Sequence, residues 1–294
     1  MRRASLIVAL ALGACSRGVD DPCEARLRAI EERLTAAAAS AAPAGTPEEA
    51  ALPRSDRGVP FDGAPPLLVV GDEVVLAGRG VGGIEELDAT GTTLRRDLAR
   101  FVEGRAPADE PLLFAVLAAP DVSADALARL LRGAPADARF ALGVRAAPLP
   151  ALEGEPAWVE SETRAIPGRP EALRERLDAA WSRATASCEP ARAHVPVPPA
   201  LRPADPPLGA PSVHALVAAL RECRCGDPGL GAIEAVARRA LVGPDGPVHR
   251  LRVTLRFGLP SDAAPAVEVE PHETVEAFAR RLEGREGPLW VRAE

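Results

Sequence analysis

Residues 111–118 read Pro-Leu-Leu-Phe-Ala-Val-Leu-Ala. An unbroken apolar run of this length lacks the alternation of a strand with one wet face. It is what a strand buried on both faces needs. Downstream, Asp121 or Ser123 can cap a helix that places Leu127, Leu130 and Leu131 on its inner side. Phe140, Leu142 and Val144 then alternate as a second strand. Upstream, Leu67–Val70 and Glu73–Ala77 flank a Gly71-Asp72 turn, which reads as a tight hairpin. Between hairpin and run, Leu94, Leu98, Phe101 and Val102 follow helical spacing, with the helix starting near Thr92. The order hairpin, α, β, α, β is that of an α/β domain with helices over a small sheet.

This first domain is expected to span 66–188. Residues 157–160 would add an edge strand, and Pro170 opens a helix with Leu173, Leu177, Ala180 and Trp181 inward, leading to Cys188. A proline-rich linker follows over 189–211. The second domain, 212–294, begins with a helix that Ser212 can cap, and Val213, Leu216, Val217, Leu220 and Cys223 share its inner face. A second helix carries Leu230, Ile233, Val236 and Ala240. From His249 to Phe257 the chain alternates: Leu251, Val253, Leu255 and Phe257 against Arg250, Arg252, Thr254 and Arg256. Val267 and Val269 alternate with Glu268 and Glu270, so the two stretches are expected to pair as an antiparallel hairpin with Arg opposite Glu. Pro271 opens a helix with Val275, Phe278, Ala279 and Leu282 inward, and Leu289-Trp290-Val291 closes the sheet. The expected fold class is thus α/β (α+β), with two small domains, each a short mixed sheet covered by helices.

The N-terminus sets the expected compartment. Met1-Arg2-Arg3 precedes an apolar run, Leu6 to Leu12, that is far shorter than the roughly 20 residues of a membrane-spanning helix. Leu12-Gly13-Ala14-Cys15 resembles the bacterial lipobox, in which the cysteine thiol accepts a diacylglycerol and the chain is cut just before it. Residues 1–14 are then a signal peptide and Cys15 a lipid attachment point; an ordinary signal with a chance cysteine is the plainer alternative. Ser16, in place of Asp, favours the periplasmic face of the outer membrane. Residues 15–40 would form the anchor and a stalk helix, with Leu27, Ile30 and Leu34 at near-heptad spacing, and 41–65 a proline-rich linker.

Cleavage leaves 294 − 14 = 280 residues and, with Arg2 and Arg3 removed, a net charge of −7 − 2 = −9. An acidic body does not fit nucleic-acid binding or adsorption to anionic lipid. Aromatic residues are only 3%, with no Tyr, which argues against a stacking platform for bases or sugars. Besides Cys15, the chain holds Cys23, Cys188, Cys223 and Cys225. In an exported protein four cysteines suggest two disulfides. Cys223 and Cys225 are too close to bond comfortably to each other, so Cys188 is expected to join one and Cys23 the other. A metal site using Cys188, Cys223, Cys225 and His194 or His214 is the sharper alternative, but it lacks the repeated CxxC spacing of structural zinc.

No catalytic motif stands out. Gly78-Arg-Gly80-Val-Gly-Gly83 matches GxGxxG, yet its helix starts too late for a dinucleotide site, so a flexible loop is expected. No GxSxG or HExxH occurs, and His194, His214, His249 and His272 are scattered. The row Arg250, Arg252, Arg256 is the most suggestive surface feature: guanidinium forks suit carboxylate or phosphate partners, such as acidic cell-wall stem peptides or a partner protein, although pairing with Glu268 and Glu270 would account for it. The expectation is a non-enzymatic chain with no cofactor, no metal and no nucleic-acid partner. An envelope hydrolase with an unrecognised carboxylate pair is the alternative.

From about Pro66 to Ala146 the chain resembles the periplasmic domain of ExbD/TolR biopolymer-transport proteins. The features are the hairpin LLVVGDEVVLAG, the helix TTLRRDLARFV, the strand PLLFAVLAAPDV, the helix SADALARLLRGA and the strand RFALGVRA. The resemblance implies a domain that dimerises and contacts partner proteins or peptidoglycan. Family members carry a transmembrane helix with a proton-carrying Asp; here a lipobox stands in its place, and a lipid anchor conducts no protons.

Overall fold

The strands of both halves of the chain join in one sheet. In the computed structural model, which describes residues 21–40, 43, 46, 51–62, 64–104, 111–163, 170–186, 188, 210–223, 229–243, 246–257 and 265–292, nine strands are present. They are β1 (Leu67–Val70), β2 (Glu73–Leu76), β3 (Arg79–Gly83), β4 (Leu112–Ala118), β5 (Ala138–Arg145), β6 (Val248–Arg250), β7 (Val253–Phe257), β8 (Ala266–Glu268) and β9 (Gly287–Arg292). Their order is β3-β2-β1-β4-β5-β7-β9-β8, with β6 paired to β5. The mixed α/β class holds. The separate sheet expected in each domain does not: β5 hydrogen-bonds both β6 and β7, so the join falls inside the sheet. Hydropathy periodicity tells which face of a strand is buried but not which strand lies beside it.

The apolar run at 111–118 is buried on both faces as expected. Phe114, Val116 and Ala118 pack with Leu94 and Leu98 of helix α2 (Leu87–Glu103), with Leu127, Leu130 and Leu131 of α3 (Ala124–Leu131), and with the C-terminal strands. Ala115 and Leu117 point the other way, onto Leu52, Leu67, Val248 and Phe61. Residues 51–62, read as part of a linker, are therefore a strap on the sheet: Arg54 bridges Arg145 and Val59 bridges Arg250. A row of rings runs from the exposed Phe101 into the main core, Phe101–Phe114–Phe140–Phe257, with successive centroids 6.2, 5.6 and 5.5 Å apart.

A second core is helical. It is built by α1 (Pro22–Ala39), α4 (Ala157–Thr163), α5 (Pro170–Ala184), α6 (Ala210–Leu220) and α7 (Gly229–Val242). Helix α7 is buried along most of its length, and Leu27, Ile30 and Leu34 of α1 pack against this core. The expected stalk is a packed helix: its apolar stripe is the same whether it meets a neighbouring helix or a partner chain. Residues 157–160 form α4 rather than an edge strand, with Val159 and Thr163 one helical turn apart on the buried side. The last helix, α8 (Val275–Leu282), is capped by Thr274, a few residues after the predicted opening at Pro271.

Two further expectations change. The GxGxxG stretch is the edge strand β3 rather than a loop, and α2 begins at Leu87. Gly82 is required there by close approach, since a Cβ on it would lie 2.4 Å from Thr90 Oγ1. The strand 249–257 breaks at Leu251–Arg252 into β6 and β7, and β8 does not pair with β7. Instead β9 lies between them, parallel to both, so Arg256 neighbours Trp290 and Glu268 neighbours Arg292. Leu289-Trp290-Val291 is thus interior, and β8 forms the edge.

Candidate binding surface

Of the predicted cysteines, Cys188 and Cys223 form a disulfide, with a Cα–Cα distance of 5.5 Å. It joins the residues after α5 to those after α6 and closes the helical core. Cys23 is also disulfide-bonded. Cys15, Cys225 and His194 lie outside the described residues. His214 sits on the surface of α6 with its Nδ1 2.8 Å from Glu31 Oε1, and Cys188 and Cys223 are consumed by their own bond. No group of three or more metal-ligating side chains occurs among the described residues, and none of their helices is long and apolar enough to cross a membrane.

The arginine row keeps its predicted phase: Val253, Leu255 and Phe257 are buried on β7, while the positions between them are partly exposed. Its partners differ from those expected. Arg250 donates to Asp62 of the strap at 2.8 Å and is only 18% exposed. Arg252 donates to Glu286 at 3.2 Å. Arg256 lies over the Trp290 ring, 5.4 Å from its centroid. Glu270 and Glu273 instead face Arg281 of α8, whose hydrogen bond to Glu273 raises its pKa above the ordinary guanidinium value. The Nε atoms of Arg250 and Arg256 are buried without a hydrogen-bond partner among the described residues. The row is therefore divided: Arg250 anchors the strap, Arg256 covers an indole, and Arg252 is the member that reaches an open cavity.

That cavity has a volume of about 290 Å³. It lies where the strap passes the ends of α8, β7 and β9, and Asp56, Arg57, Arg252 and Glu286 supply charge over a floor of Leu251 and Leu282. Gly284 brings the helix end close to Arg57, since a Cβ there would lie 3.0 Å from Arg57 Nη1. Two guanidinium groups and two carboxylates in so small a space suit a ligand carrying both signs of charge. Residues 56 and 57 fall in a stretch that reads as linker, and the strap's docking depends on distant backbone pairings, so local pattern does not reveal them as lining.

His249 stands behind the strap. Burial lowers its pKa below the ordinary histidine value, against a smaller opposing effect from its hydrogen bond with the Gly58 backbone. The remaining strongly buried charges are structural. Glu234 of α7 holds Arg33 of α1 through two hydrogen bonds, and Arg239 donates from two nitrogens to Glu155. Burial lowers the pKa of Arg238, between these pairs.

Comparison with protein-family models, with curated proteins and with solved structures finds no match.

Proposed function

We propose that the chain is an exported, lipid-anchored envelope protein that binds other envelope proteins or the cell wall without catalysing a reaction. The observation that carries this reading is the Cys188–Cys223 disulfide in a chain that opens with Leu12-Gly13-Ala14-Cys15. Disulfides persist in oxidising compartments, and the lipobox supplies both export and a tether. Acyl chains on Cys15 hold an acidic body at the periplasmic face of the outer membrane, where cell-wall stem peptides offer free carboxylates and amines. The cavity of Asp56, Arg57, Arg252 and Glu286 is the surface we assign to such contacts. The ExbD/TolR resemblance adds an accessory role in biopolymer transport, exercised through partner binding.

The test is labelled-palmitate incorporation in the native host, for the wild type and Cys15→Ala, followed by co-sedimentation with purified peptidoglycan. The expected result is label in the wild type alone, and pelleting that weakens when Arg57 and Arg252 are both changed to Glu. A wild-type chain that takes up no label, or that begins at another residue, overturns the anchor. Pelleting unaffected by the double charge reversal overturns the cavity's role.

A further inference from the structure

Two stretches that the fold brings together are versions of one sequence. Residues 120–133 read PDVSADALARLLRG and residues 271–284 read PHETVEAFARRLEG. Aligned without gaps, six of the fourteen positions are identical: Pro120/Pro271, Ala126/Ala277, Ala128/Ala279, Arg129/Arg280, Leu131/Leu282 and Gly133/Gly284. Ser123/Thr274 and Asp125/Glu276 are conservative pairs.

Local geometry repeats as closely. Ser123 Oγ accepts from the Ala126 amide at 3.4 Å, and Thr274 Oγ1 accepts from the Ala277 amide at 3.3 Å. Both helices are eight residues long. Both leave through an extended residue, Arg132 (φ −58°, ψ 124°) or Glu283 (φ −57°, ψ 131°), into a glycine at φ +80°. Each helix is flanked by a parallel strand pair, β4 with β5 and β8 with β9. Val116 and Val267, in equivalent places before the two prolines, both enter the main core.

The two units meet head to head. Ser123 and Thr274 form an antiparallel bridge. The Ala124 amide donates to Glu273 O at 2.8 Å, and the Val275 amide donates to Val122 O at 2.8 Å. In the alignment Ala124 matches Val275 and Val122 matches Glu273, so the operation that superposes the units turns one bond into the other. Strand directions agree: β7 is antiparallel to β5 and parallel to β9, so the units run in opposite senses across the sheet. Reciprocal contact of equivalent residues is the signature of a two-fold interface between identical partners.

We propose that residues 112–145 and 266–292 are two copies of one βαβ unit, closed against each other about a pseudo-two-fold axis between Ser123 and Thr274. The interface fits one partner, another copy of the same unit, and this chain carries that copy itself. The copies differ where their surroundings differ: Leu130 is buried, and its counterpart Arg281 pairs with Glu273.

Amide hydrogen exchange on the full chain, resolved at Ala124 and Val275, tests this. The two amides are expected to show protection within about tenfold of each other, unchanged over a hundredfold dilution, because opening the contact releases both. Proline is tolerated at the first helical position, so Ala124→Pro deletes one cross-axis bond without removing the cap. It is expected to lower Val275 protection at least tenfold, and Val275→Pro to do the same at Ala124. Unrelated protection at the two sites, or protection that falls on dilution, overturns the proposal. Exchanging residues 123–129 with 274–280 in the full chain leaves overall composition unchanged and is expected to preserve cooperative melting. If that chimera fails to fold while both proline variants fold, the two units are not interchangeable copies.

Discussion

Removing the Cys188–Cys223 bridge by Cys188→Ala/Cys223→Ala should destabilise the helical core and leave the sheet core nearly untouched. The bridge closes a loop of 35 residues in sequence separation. Chain-entropy scaling assigns such a cross-link a stabilisation of about 4 kcal/mol at 25 °C, between about 3 for a 15-residue loop and about 4.7 for a 100-residue one. Cys188 is also buried, so lost packing adds to the cost. The chain's three tryptophans separate the two responses. Trp158 and Trp181 belong to the helical core, whereas Trp290 lies on β9. Urea titration followed by fluorescence, in a Trp290→Phe background for the helical core and a Trp158→Phe/Trp181→Phe background for the sheet, reads each in turn. The expected result is a drop of about 4 kcal/mol in the first background and under about 1 kcal/mol in the second. Equal losses in both would refute the separation into two cores. A loss under about 1 kcal/mol in the first would refute the entropic account of the bridge.

Other outcomes follow from the same structure. His249 is held below its ordinary pKa, so the unfolded chain binds its proton first as pH falls. Its contribution therefore makes stability decline as pH drops below about 6.5, levelling off once the folded form is protonated too; His249→Gln should flatten that part of the stability–pH profile. Glu234→Ala removes the carboxylate bonded to Arg33 and close to Arg238, leaving only Glu32 and Glu155 opposite them, and should cost about 1–3 kcal/mol in denaturant titration, below the figure for a wholly buried pair because Arg33 is 45% exposed. Phe140→Ala empties the middle of the ring row and should cost about 3–5 kcal/mol, read by calorimetry as a lower melting temperature for the sheet core. Gly82→Ala meets the Thr90 hydroxyl and should destabilise the chain, with Thr90→Ala in the same background restoring part of the loss.

What the sequence revealed, and what it hid, divides along physical lines. The hairpin at 67–76, the run at 112–118, the Ser123 cap and the alternation on β7 are local: each depends on neighbours a few residues away, and each is present. The placing of β9 between β7 and β8 is decided by tertiary packing, because a period-2 pattern is satisfied by any neighbour of the right hydrophobicity. The strap at 51–62 was masked by its prolines, which suit a linker and an extended segment equally well. Cys223 reads from its helical phase as facing the core, and it pairs there with Cys188. The cavity was hidden because Arg57 and Arg252 are far apart in the chain. The repeat of 120–133 in 271–284 was legible all along, since alignment of the chain with itself displays it, yet its meaning depends on two backbone hydrogen bonds that no sequence states.

The pairing of α1 with α7 bears on how the molecule assembles. Arg33 and Glu234 are 201 positions apart, so the first helix finds its seat only after most of the polypeptide is available. In synthesis from the N-terminus, Leu27, Ile30 and Leu34 emerge well before the helices 210–220 and 229–242 that cover them. A nascent chain interrupted before residue 210 would lack both helices that cover this greasy stripe and would expose it to chaperones and proteases.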